Sequence, residues 1–515
     1  MCPWHIDDRG RRRAVIDGPQ IGPAVSRPTA WLGLVVAAGV ALRFATLDTQ
    51  SLWYDEAITA HLLQMHLGGM LRAIPDSESS PPLYYVIAWL WTHVFGTGEV
   101  GLRSLSALLG TATIGVVWAL GMRLGGPRAA LAAAALVAFN PMLVWFSQEA
   151  RAYALLALLA ALSALLWLRA LERPRATGRL LAWGAIAALA LATHYYAAFL
   201  VAPQALWLVL RAPGRRERAA ALALPVAAAV ALAPLALGQR ANDTAAFIAD
   251  SALPTRLAQV PKQFIVGYDA PIEPLLVAVT ALAVLLGFAG LAGLLTGRVA
   301  APASARADAA RLAVVTAVAL ALPVLGAVAG EDHLITRNVL FALPPACALA
   351  GAGLAAAAGA VPRSAWLALG AACLAGIVAA VGVARSPELQ RDDWRAAVSA
   401  LGPIADPRLI VATPASALGA LRYYLPGLRT AAPPAFTTAE IDYVALPVRR
   451  PGERPQPPRP SNPVAPAANY TLVSRTDGET FTVLRWRAPA ATPQPVAPSP
   501  GLDGKPAALL SVAPR

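Results

Sequence analysis

The stretch Leu83–Phe95, LYYVIAWLWTHVF, decides how this chain crosses a membrane. It is apolar, but at about 1.5 Å per residue a helix of this length falls well short of a hydrocarbon core of about 30 Å. Its Tyr84, Tyr85, Trp89 and Trp91 are residue types that collect at the headgroup level. We therefore predict that the stretch lies in the outer interface, or forms a re-entrant helix, without crossing the membrane.

Basic clusters on both sides of this stretch support the prediction. Arg9–Arg13 and Arg123–Arg128 both belong in the cytoplasm by the positive-inside bias, so an even number of spans must separate them. The apolar stretches Trp31–Leu47 and Ser104–Met122 supply two spans. Residues 48–103 then form one long external loop.

The rest of the chain repeats this pattern of apolar runs between basic clusters. The sequence is 57% hydrophobic and 14% charged, whereas soluble proteins carry about 25% charged residues. Pairs of apolar runs separate the later clusters, and a last run covers Trp366–Ala384. The prediction is an α-helical polytopic membrane protein with about eleven transmembrane helices. Arg43, near the end of the first span, is expected to extend toward the outer interface.

The net charge of +13 does not indicate nucleic-acid binding, because the basic residues lie in short clusters between apolar runs. Cys2, Cys347 and Cys373 are the cysteines of the chain, and no disulfide framework or cysteine-rich metal motif follows from them.

Beyond Arg385 the sequence changes character. RDDWRAAVSAL predicts a helix, and LIVAT, IDYVALPV, YTLVSRT and TFTVLRW predict short strands. We divide the chain into a basic cytoplasmic N-terminus (1–29), a membrane domain (30–384), an extracytoplasmic α/β domain with a Pro-rich insertion (385–487) and a disordered tail (488–515).

The external loop carries an acidic pair, Asp55–Glu56, behind Trp53 and Tyr54. Helix capping explains such a pair on its own, since acids suit the first turn of a helix. The predicted helix continues to Ile74 and has two unlike faces, which indicates a helix lying in the interface plane. Its apolar face carries Leu63, Leu67, Met70, Leu71 and Ile74, and its polar face carries His61, Gln64, Gly68 and Arg72. A carboxylate held there can meet a lipid headgroup on one side and a soluble acceptor on the other.

Three arginines, Arg103, Arg151 and Arg337, fall on the outer side against the positive-inside bias. A lipid phosphate is one reason for such a placement, because a guanidinium binds phosphate bidentately. The alternative is snorkelling or pairing with Glu99, Glu149 or Asp332.

His194 precedes two tyrosines at another outer turn, where a lone histidine is more often a hydrogen-bonded packing residue than a ligand. The histidines show no metal-ligand spacing, and no metal ligand is assigned. The sequence leaves a divalent metal site open, because Asp55, Glu56 and His194 could form one if the fold brings them together. The sequence contains no Walker-type loop, no GxSxG and no HExxH, so ATP-driven transport and hydrolase chemistry lack support.

Four motifs in order, SLWYDEAITA, SPPLYY, GLRSLSALLGT and FNPMLVWFSQEARAYAL, resemble the GT-C membrane glycosyltransferases. The nearest branch is the family 39-like group, related to protein O-mannosyltransferases and the lipid A aminoarabinose transferase. The resemblance covers about Trp31 to Pro203 and continues more weakly through TRNVLFALPP and DDWRAAVSAL. It implies the GT-C fold for residues 30–384.

The resemblance also implies a reaction and a site. The donor is a sugar on a polyprenyl phosphate or diphosphate, and Asp55, with Glu56 beside it, is expected as the base in an inverting transfer. The residues expected to bind the carrier phosphate and the sugar are Arg103, Arg151, Tyr153, His194 and Arg337.

Two positions depart from the family pattern. Ser80 stands where the family often has His before Pro-Pro-Leu, and Asn338 follows Arg337 where the family often has Tyr. Both departures bear on the identity of the substrate. Neither affects the acidic pair.

We therefore expect a multi-pass enzyme of the plasma (inner) membrane that moves a sugar from a polyprenyl-phosphate carrier to a hydroxyl of an envelope glycan, lipid or protein. The alternative is a transporter or flippase of a lipid-linked envelope precursor, which predicts ionisable residues midway along the spans. A third interpretation, a non-catalytic scaffold, makes Asp55 dispensable.

Overall fold

The structure, a computed structural model, describes residues 4–6, 12–14, 27–242, 248, 251–403, 408–413, 418–426, 428–430, 435–447, 457, 459–495 and 508–512. Most of the predicted N-terminus (1–29) and part of the Pro-rich segment (449–468) lie outside these residues. Strands β1 (Trp4–Ile6) and β2 (Arg12–Ala14) pair antiparallel within the N-terminus.

Helices make up the first three quarters of the chain. In chain order they are α1 Arg27–Phe44, α2 Tyr54–Leu63, α3 Leu67–Ser77, α4 Leu83–Phe95, α5 Glu99–Phe139, α6 Pro141–Ser147, α7 Tyr153–Glu172, α8 Thr177–Thr193, α9 Ala198–Arg211, α10 Arg215–Ala241, α11 Leu253–Val266, α12 Glu273–Leu295, α13 Ala303–Val328, α14 Leu343–Ala357 and α15 Pro362–Arg385. Short 3-10 helices at Tyr195–Ala197 and Thr336–Ala342 lead into α9 and α14.

Helix α5 is two helices joined at a sharp break. Gly125 and Gly126 leave helical geometry, and Gly126 has φ +74°, a conformation that glycine adopts without steric cost. Arg123 and Arg128 flank the break, so the basic cluster predicted to lie in the cytoplasm marks a turn of the chain.

Within the described residues, seven helical segments are long and apolar enough to cross a membrane: α5, α7, α10, α12, α13, Thr336–Ala357 and α15. Four shorter apolar helical segments accompany them: Ala30–Phe44, α4, α8 and Tyr195–Arg211. The predicted fold class, a polytopic helical membrane protein with a small C-terminal α/β domain, is confirmed. The count of about eleven spans stays a prediction.

Small residues let the central helices pack closely. A Cβ atom on Gly290 of α12 would lie 1.9 Å from the carbonyl oxygen of Gly353 in α14. A Cβ on Gly351 would lie 2.5 Å from the backbone nitrogen of Ala133 in α5. Glycine at these positions therefore allows the backbones of α14 and its two neighbours to approach, as in other membrane helix pairs.

The predicted single helix from Glu56 to Ile74 is wrong, because the chain breaks it into α2 and α3. The segment from Gln64 to His66 leaves helical hydrogen bonding, and the indole of Trp89 in α4 donates to the carbonyl of Met65 at 2.9 Å. The predicted apolar face is also divided, since Leu67 and Leu71 are exposed while Met70 and Ile74 are buried.

Helix α4 has the predicted bounds, and its tyrosines face the protein interior. Tyr84 and Tyr85 are fully buried within the protein, and Trp91 donates to the hydroxyl of Ser104 at 2.9 Å. Its tyrosines thus pack inward, against the loop that carries the acidic pair.

Arg43 does not extend to the outer interface as predicted. It is fully buried, and its guanidinium donates to the hydroxyl of Ser147 and to the carbonyls of Gly39, Val137 and Ala138. The carbonyls of Val137 and Ala138 are released where α5 ends, so Arg43 joins α1 to the α5–α6 corner.

The C-terminal domain is a mixed sheet with two short helices, α16 (Trp394–Ala400) and α17 (Leu418–Tyr424). The sheet order is β4-β8-β3-β5-β7-β6, in which only the β3–β5 pair is parallel. The strands are β3 Arg408–Thr413, β4 Leu428–Thr430, β5 Ala435–Ala445, β6 Thr471–Asp477, β7 Thr482–Pro495 and β8 Ala508–Val512. The predicted helix and strands of this domain are confirmed.

The expectation of a disordered tail from residue 488 is wrong for the described part of it. Strand β7 continues to Pro495 beside β5, and β8 pairs with β3 and β4. The run ALLSV is short and mostly apolar, without the alternation of a half-buried strand, so the sequence gives little signal for β8.

Candidate active site

Four carboxylates around the external loop each pair with an arginine that is distant in sequence. The pairs are Asp55–Arg337, Glu56–Arg103, Glu78–Arg151 and Glu149–Arg391. Helix α2 and the outer turn between α6 and α7 supply half of these groups, so the two predicted external segments meet at one place.

Asp55 lies in the first turn of α2, which begins at Tyr54. Its Oδ2 is 3.1 Å from Nη1 of Arg337, on the 3-10 helix before α14. Asp55 does not cap the helix as predicted: the N-cap residue is Trp53, and its side chain makes no capping bond. A carboxylate in the first turn is still favoured by the helix dipole.

Exposure separates this pair from the other three. The side chains of Asp55 and Arg337 are 17% and 22% exposed, whereas no side chain of the other three pairs exceeds 9%. A ligand can therefore reach Asp55 and Arg337 without first breaking a fully buried ion pair.

Glu56 is fully buried and forms a bidentate pair with Arg103, whose Nε and Nη2 donate at 2.8 and 2.6 Å. Arg103 also donates to the carbonyls of Leu47, Gln50 and Ser51. All five N–H groups of this guanidinium are then engaged. In this structure Arg103 thus holds the external loop together, and its expected role in binding the carrier phosphate stays a prediction.

The pKa of Glu56 indicates that this carboxylate is ionised in the folded protein. Burial alone would raise the pKa, but Arg103, Arg391 and the backbone N–H of Ala150 stabilise the carboxylate and lower it. Glu56 stays ionised and fully hydrogen-bonded, which suits a structural role and not that of a base.

Arg151 lies behind Asp55. It donates to both oxygens of Glu78, at 2.6 and 2.8 Å, and to the hydroxyl of Thr59 at 3.1 Å. It also donates to the backbone carbonyl of Asp55 at 3.3 Å. Arg151 therefore fixes the first turn of α2, and its charge lies close to Asp55.

Glu149 pairs with Arg391, which belongs to the segment between α15 and α16. Burial raises the pKa of Glu149 to about 7, and Glu56 and Asp55 add to the rise while Arg391 opposes it. Glu149 is thus the carboxyl of the cluster that can change protonation near neutral pH.

Aromatic rings form the next wall of the site. The ring of Tyr153 lies 4.6 Å from Phe146 and 5.7 Å from His194, and His194 lies 5.2 Å from Tyr196. Tyr153 and His194 are both buried, and both interact electrostatically with Arg337. The structure therefore brings Asp55, Arg151, Tyr153, His194 and Arg337 together, and it places Glu56 and Arg103 behind them.

His194 is a neutral ring. Its Nδ1 accepts a hydrogen bond from the backbone N–H of Tyr196 at 3.3 Å, which requires an unprotonated nitrogen. Burial, with the charges of Arg337 and Arg151, lowers the pKa of His194 to about 3.

We expect His194→Gln to change how stability depends on pH. Between pH 6.5 and 4.5 the unfolded His194 takes up a proton that the folded one does not, so this group lowers stability as pH falls, by up to about 1.4 kcal/mol per pH unit. Glu149, whose pKa is raised to about 7, acts in the opposite direction in the same window. In the variant the free energy of unfolding in detergent micelles should therefore rise as pH falls through this window. A variant with the slope of the wild type would contradict a neutral His194.

The described residues do not fit a divalent metal. No group of three or more His, Cys, Asp or Glu side chains among them is placed to hold an ion. Asp55 and Glu56 face arginines, and His194 faces Tyr196. No step below is routed through a metal.

Sequence reasoning missed Glu78, Arg391 and the role of Glu149. Glu78 stands in SESSPP and Glu149 in SQEARAY, next to motifs that carry the family resemblance. Arg391 has no such signal, since it lies in a different domain and reaches the site only through the fold.

Comparison with known proteins agrees with this architecture. Residues 79–237 match the family model described as dolichyl-phosphate-mannose-protein mannosyltransferase. No curated protein sequence matches the chain. The fold resembles ArnT from Cupriavidus metallidurans bound to undecaprenyl phosphate, at 15% identity and a TM-score of 0.52 over 89% of this chain and 98% of that one. The apo form of the same protein matches at 16% identity and a TM-score of 0.50 over 77% and 84%.

These matches confirm the resemblance to GT-C glycosyltransferases that the motifs indicate. Residues 79–237 carry the similarity to that family, and the two ArnT matches show a shared fold.

Proposed function

We propose that this chain, a membrane protein of the GT-C superfamily, transfers a sugar from a polyprenyl-phosphate carrier to an acceptor hydroxyl, with Asp55 as the base. The observation that carries the proposal is the Asp55–Arg337 pair, the most exposed ion pair of a cluster that is otherwise buried. ArnT, whose fold it resembles, has been seen bound to undecaprenyl phosphate.

Arg337 supplies the cation for the carrier phosphate. A phosphate that binds Arg337 competes with Asp55 for the guanidinium, and it is favoured because planar N–H pairs match phosphate oxygens. Donor binding then weakens the hold of Arg337 on the Asp55 carboxylate, which becomes free to accept a proton. The resting ion pair thus holds the Asp55 side chain in place until a donor arrives.

The transfer is an inverting displacement. The acceptor oxygen forms a bond to the anomeric carbon, and its proton passes to the Asp55 carboxylate. The bond between the anomeric carbon and the phosphate oxygen breaks, and its electron pair stays on the phosphate. Arg337 stabilises this developing charge, and Arg151 adds a second positive charge nearby.

Tyr153 and His194 form the wall of the donor site. Aromatic faces suit the apolar side of a sugar ring, and the neutral His194 adds no charge that would compete for the phosphate. We assign these residues to sugar binding.

The reaction takes place at the outer face of the plasma (inner) membrane in this proposal. The N-terminus is cytoplasmic and the C-terminal domain extracytoplasmic, following the placement of the basic clusters. Envelope glycans, lipids and proteins are the acceptor classes.

The test is a transfer assay with the purified full chain in liposomes. Donors are polyprenyl phosphates that carry single labelled hexoses or pentoses, and the products are free polyprenyl phosphate and glycosylated acceptor. Release of polyprenyl phosphate that depends on acceptor supports the proposal. Donor movement between leaflets without cleavage of the sugar–phosphate bond would contradict it and favour a flippase.

The orientation has its own test. We expect Gly98→Cys, at an exposed position before α5, to react in intact cells with a thiol reagent that does not cross the membrane. The control is Pro127→Cys, at an exposed position in the turn between the two halves of α5, which should react only after the membrane is opened. Labelling of Gly98→Cys solely from the cytoplasm would overturn the predicted external loop.

A further inference from the structure

The C-terminal domain places one arginine inside the candidate active site. The Arg391 side chain is 5% exposed, and its Nη2 donates to Oε2 of Glu149 at 2.5 Å. Its Nη1 lies 3.5 Å from Oε2 of Glu56. A residue from beyond the last membrane helix thus completes a charge cluster that belongs to the external loop and the α6–α7 turn.

Two tryptophan rings fix the orientation of this guanidinium. Its central carbon lies 4.3 Å from the ring centre of Trp145 and 5.7 Å from that of Trp53. Such contacts suit the flat guanidinium of arginine better than the ammonium of lysine. They also keep water from the ion pair.

Backbone and hydroxyl contacts fix the segment on both sides. The N–H of Arg391 donates to the side chain of Gln50 at 3.0 Å. The hydroxyl of Ser51 donates to the carbonyl of Asp392 at 2.8 Å and accepts from the N–H of Trp394 at 2.9 Å. Domain and loop are therefore one hydrogen-bonded unit next to Asp55.

Glu149 has one oxygen on Arg391 and one without a partner. In the part of the chain that the structure describes, Oε1 is buried and accepts no hydrogen bond. A buried carboxylate oxygen in that state is costly unless a proton or a ligand satisfies it. Since burial raises the pKa of Glu149 to about 7 against the pull of Arg391, this arginine is what keeps the carboxyl partly ionised at neutral pH.

Charged and titratable groups surround Glu149 from every side. Those that carry charge are Arg391 and the groups Asp55, Glu56, Arg151 and Arg337. Phenols close to Glu149 come from α4, α7 and the segment after α11, namely Tyr84, Tyr153 and Tyr268.

We propose that Arg391 is a positioning residue for sugar transfer: it holds Glu149 and Glu56 in place beside Asp55 and so makes the C-terminal domain part of the active site. The inference rests on the proposed function. The domain is then a component of the site that sets its charge.

Arg391→Gln and Arg391→Lys test the inference, with Arg395→Gln as the matched control. Arg395 lies in the adjoining helix α16 and pairs with Glu99 instead of Glu149, and its side chain is 47% exposed. One readout is the pH dependence of kcat with lipid-linked donor in liposomes. The other is labelling of Glu149 by a hydrophobic carbodiimide, which reacts with protonated carboxyl groups and is mapped by peptide mass spectrometry.

We expect Arg391→Gln to lower kcat by about tenfold to a hundredfold at neutral pH, as the loss of a group acting in the site does. The acidic limb of the kcat–pH profile should move to higher pH in this variant. Labelling of Glu149 at pH 8 should rise severalfold. Arg391→Lys should return the acidic limb most of the way to its wild-type pH, because lysine restores the positive charge. It should not restore kcat fully. Arg395→Gln should match the wild type in both readouts.

Equal behaviour of Arg391→Gln and Arg395→Gln in both readouts would overturn the inference, and so would a labelling change with an unaltered kcat. If Arg391→Gln fails to fold, the kcat–pH profile and the Glu149 labelling of Arg391→Lys decide the inference. Carbodiimide labelling does not need a sugar donor. A wild type that transfers no sugar while labelling responds to Arg391 would therefore count against the proposed function and leave the charge-setting contact in place.

Discussion

Asp55→Asn is expected to lower kcat for sugar transfer by about a thousandfold, within the range of 10² to 10⁴ that a general base contributes. Asparagine keeps the shape of the side chain and can still contact Arg337, but its amide does not accept the proton of the acceptor hydroxyl. Because Arg337 and the aromatic wall remain, KM for the lipid-linked donor should change little. The decrease in kcat then reflects a slower chemical step.

The measurement is initial rate against donor concentration in liposomes at fixed acceptor. Asp76→Asn is the matched control, since Asp76 is an exposed carboxylate at the end of α3 in the same loop. It should keep the wild-type rate. A thousandfold loss in both variants would point to damage of the loop, and full activity of Asp55→Asn would remove Asp55 from the base role.

Glu56→Gln is expected to destabilise the protein by about 3–5 kcal/mol, the usual cost of breaking a buried ion pair by removing one partner. Arg103 would remain buried with the carboxylate gone, and Arg391 would lose its second acid. Because the pKa of Glu56 is lowered in the folded state, its contribution is complete above the ordinary carboxyl pKa of about 4.3 and is lost as pH falls further.

Unfolding of the purified protein in detergent, followed by circular dichroism, measures this effect at pH 7. The exposed pair Arg240–Glu331 supplies the comparison, with side chains 66% and 55% exposed. Glu331→Gln should cost at most about 1 kcal/mol, as surface pairs do. If the two variants lose the same stability, Glu56 does not hold the loop.

The sequence predicts the fold well because hydropathy and charge act over whole segments. Apolar runs between basic clusters identify the membrane helices, and the bounds of α4 agree with the apolar stretch Leu83–Phe95. The Gly-Gly break in α5 falls where the basic cluster predicts a turn. These signals are local, so no tertiary information is needed to read them.

Ion pairing is where the sequence falls short. The sequence suggests Glu99, Glu149 and Asp332 as partners for the three outward arginines. In the structure these acids pair with Arg395, Arg391 and Arg256, and the outward arginines pair with others. Each of these acids takes its partner from a distant segment, which only the packed fold brings near.

The two members of the acidic pair illustrate the same limit. Neighbouring residues on a helix project about 100° apart, so one of two adjacent acids can face the interior while the other faces the site. Helix α2 turns Glu56 inward to Arg103 and leaves Asp55 at the accessible edge. The sequence alone does not determine that rotation, because the helix is short and its apolar face is interrupted.

The most direct test of the Asp55–Arg337 site is a cryo-EM structure of the full chain with polyprenyl phosphate. We predict a phosphate oxygen at about 2.7–2.9 Å from a nitrogen of Arg337, the distance of a charge-assisted hydrogen bond. The Asp55 carboxylate should then have moved away from its present position 3.1 Å from Arg337. A phosphate bound elsewhere, with Asp55 and Arg337 still paired, would contradict the proposed site.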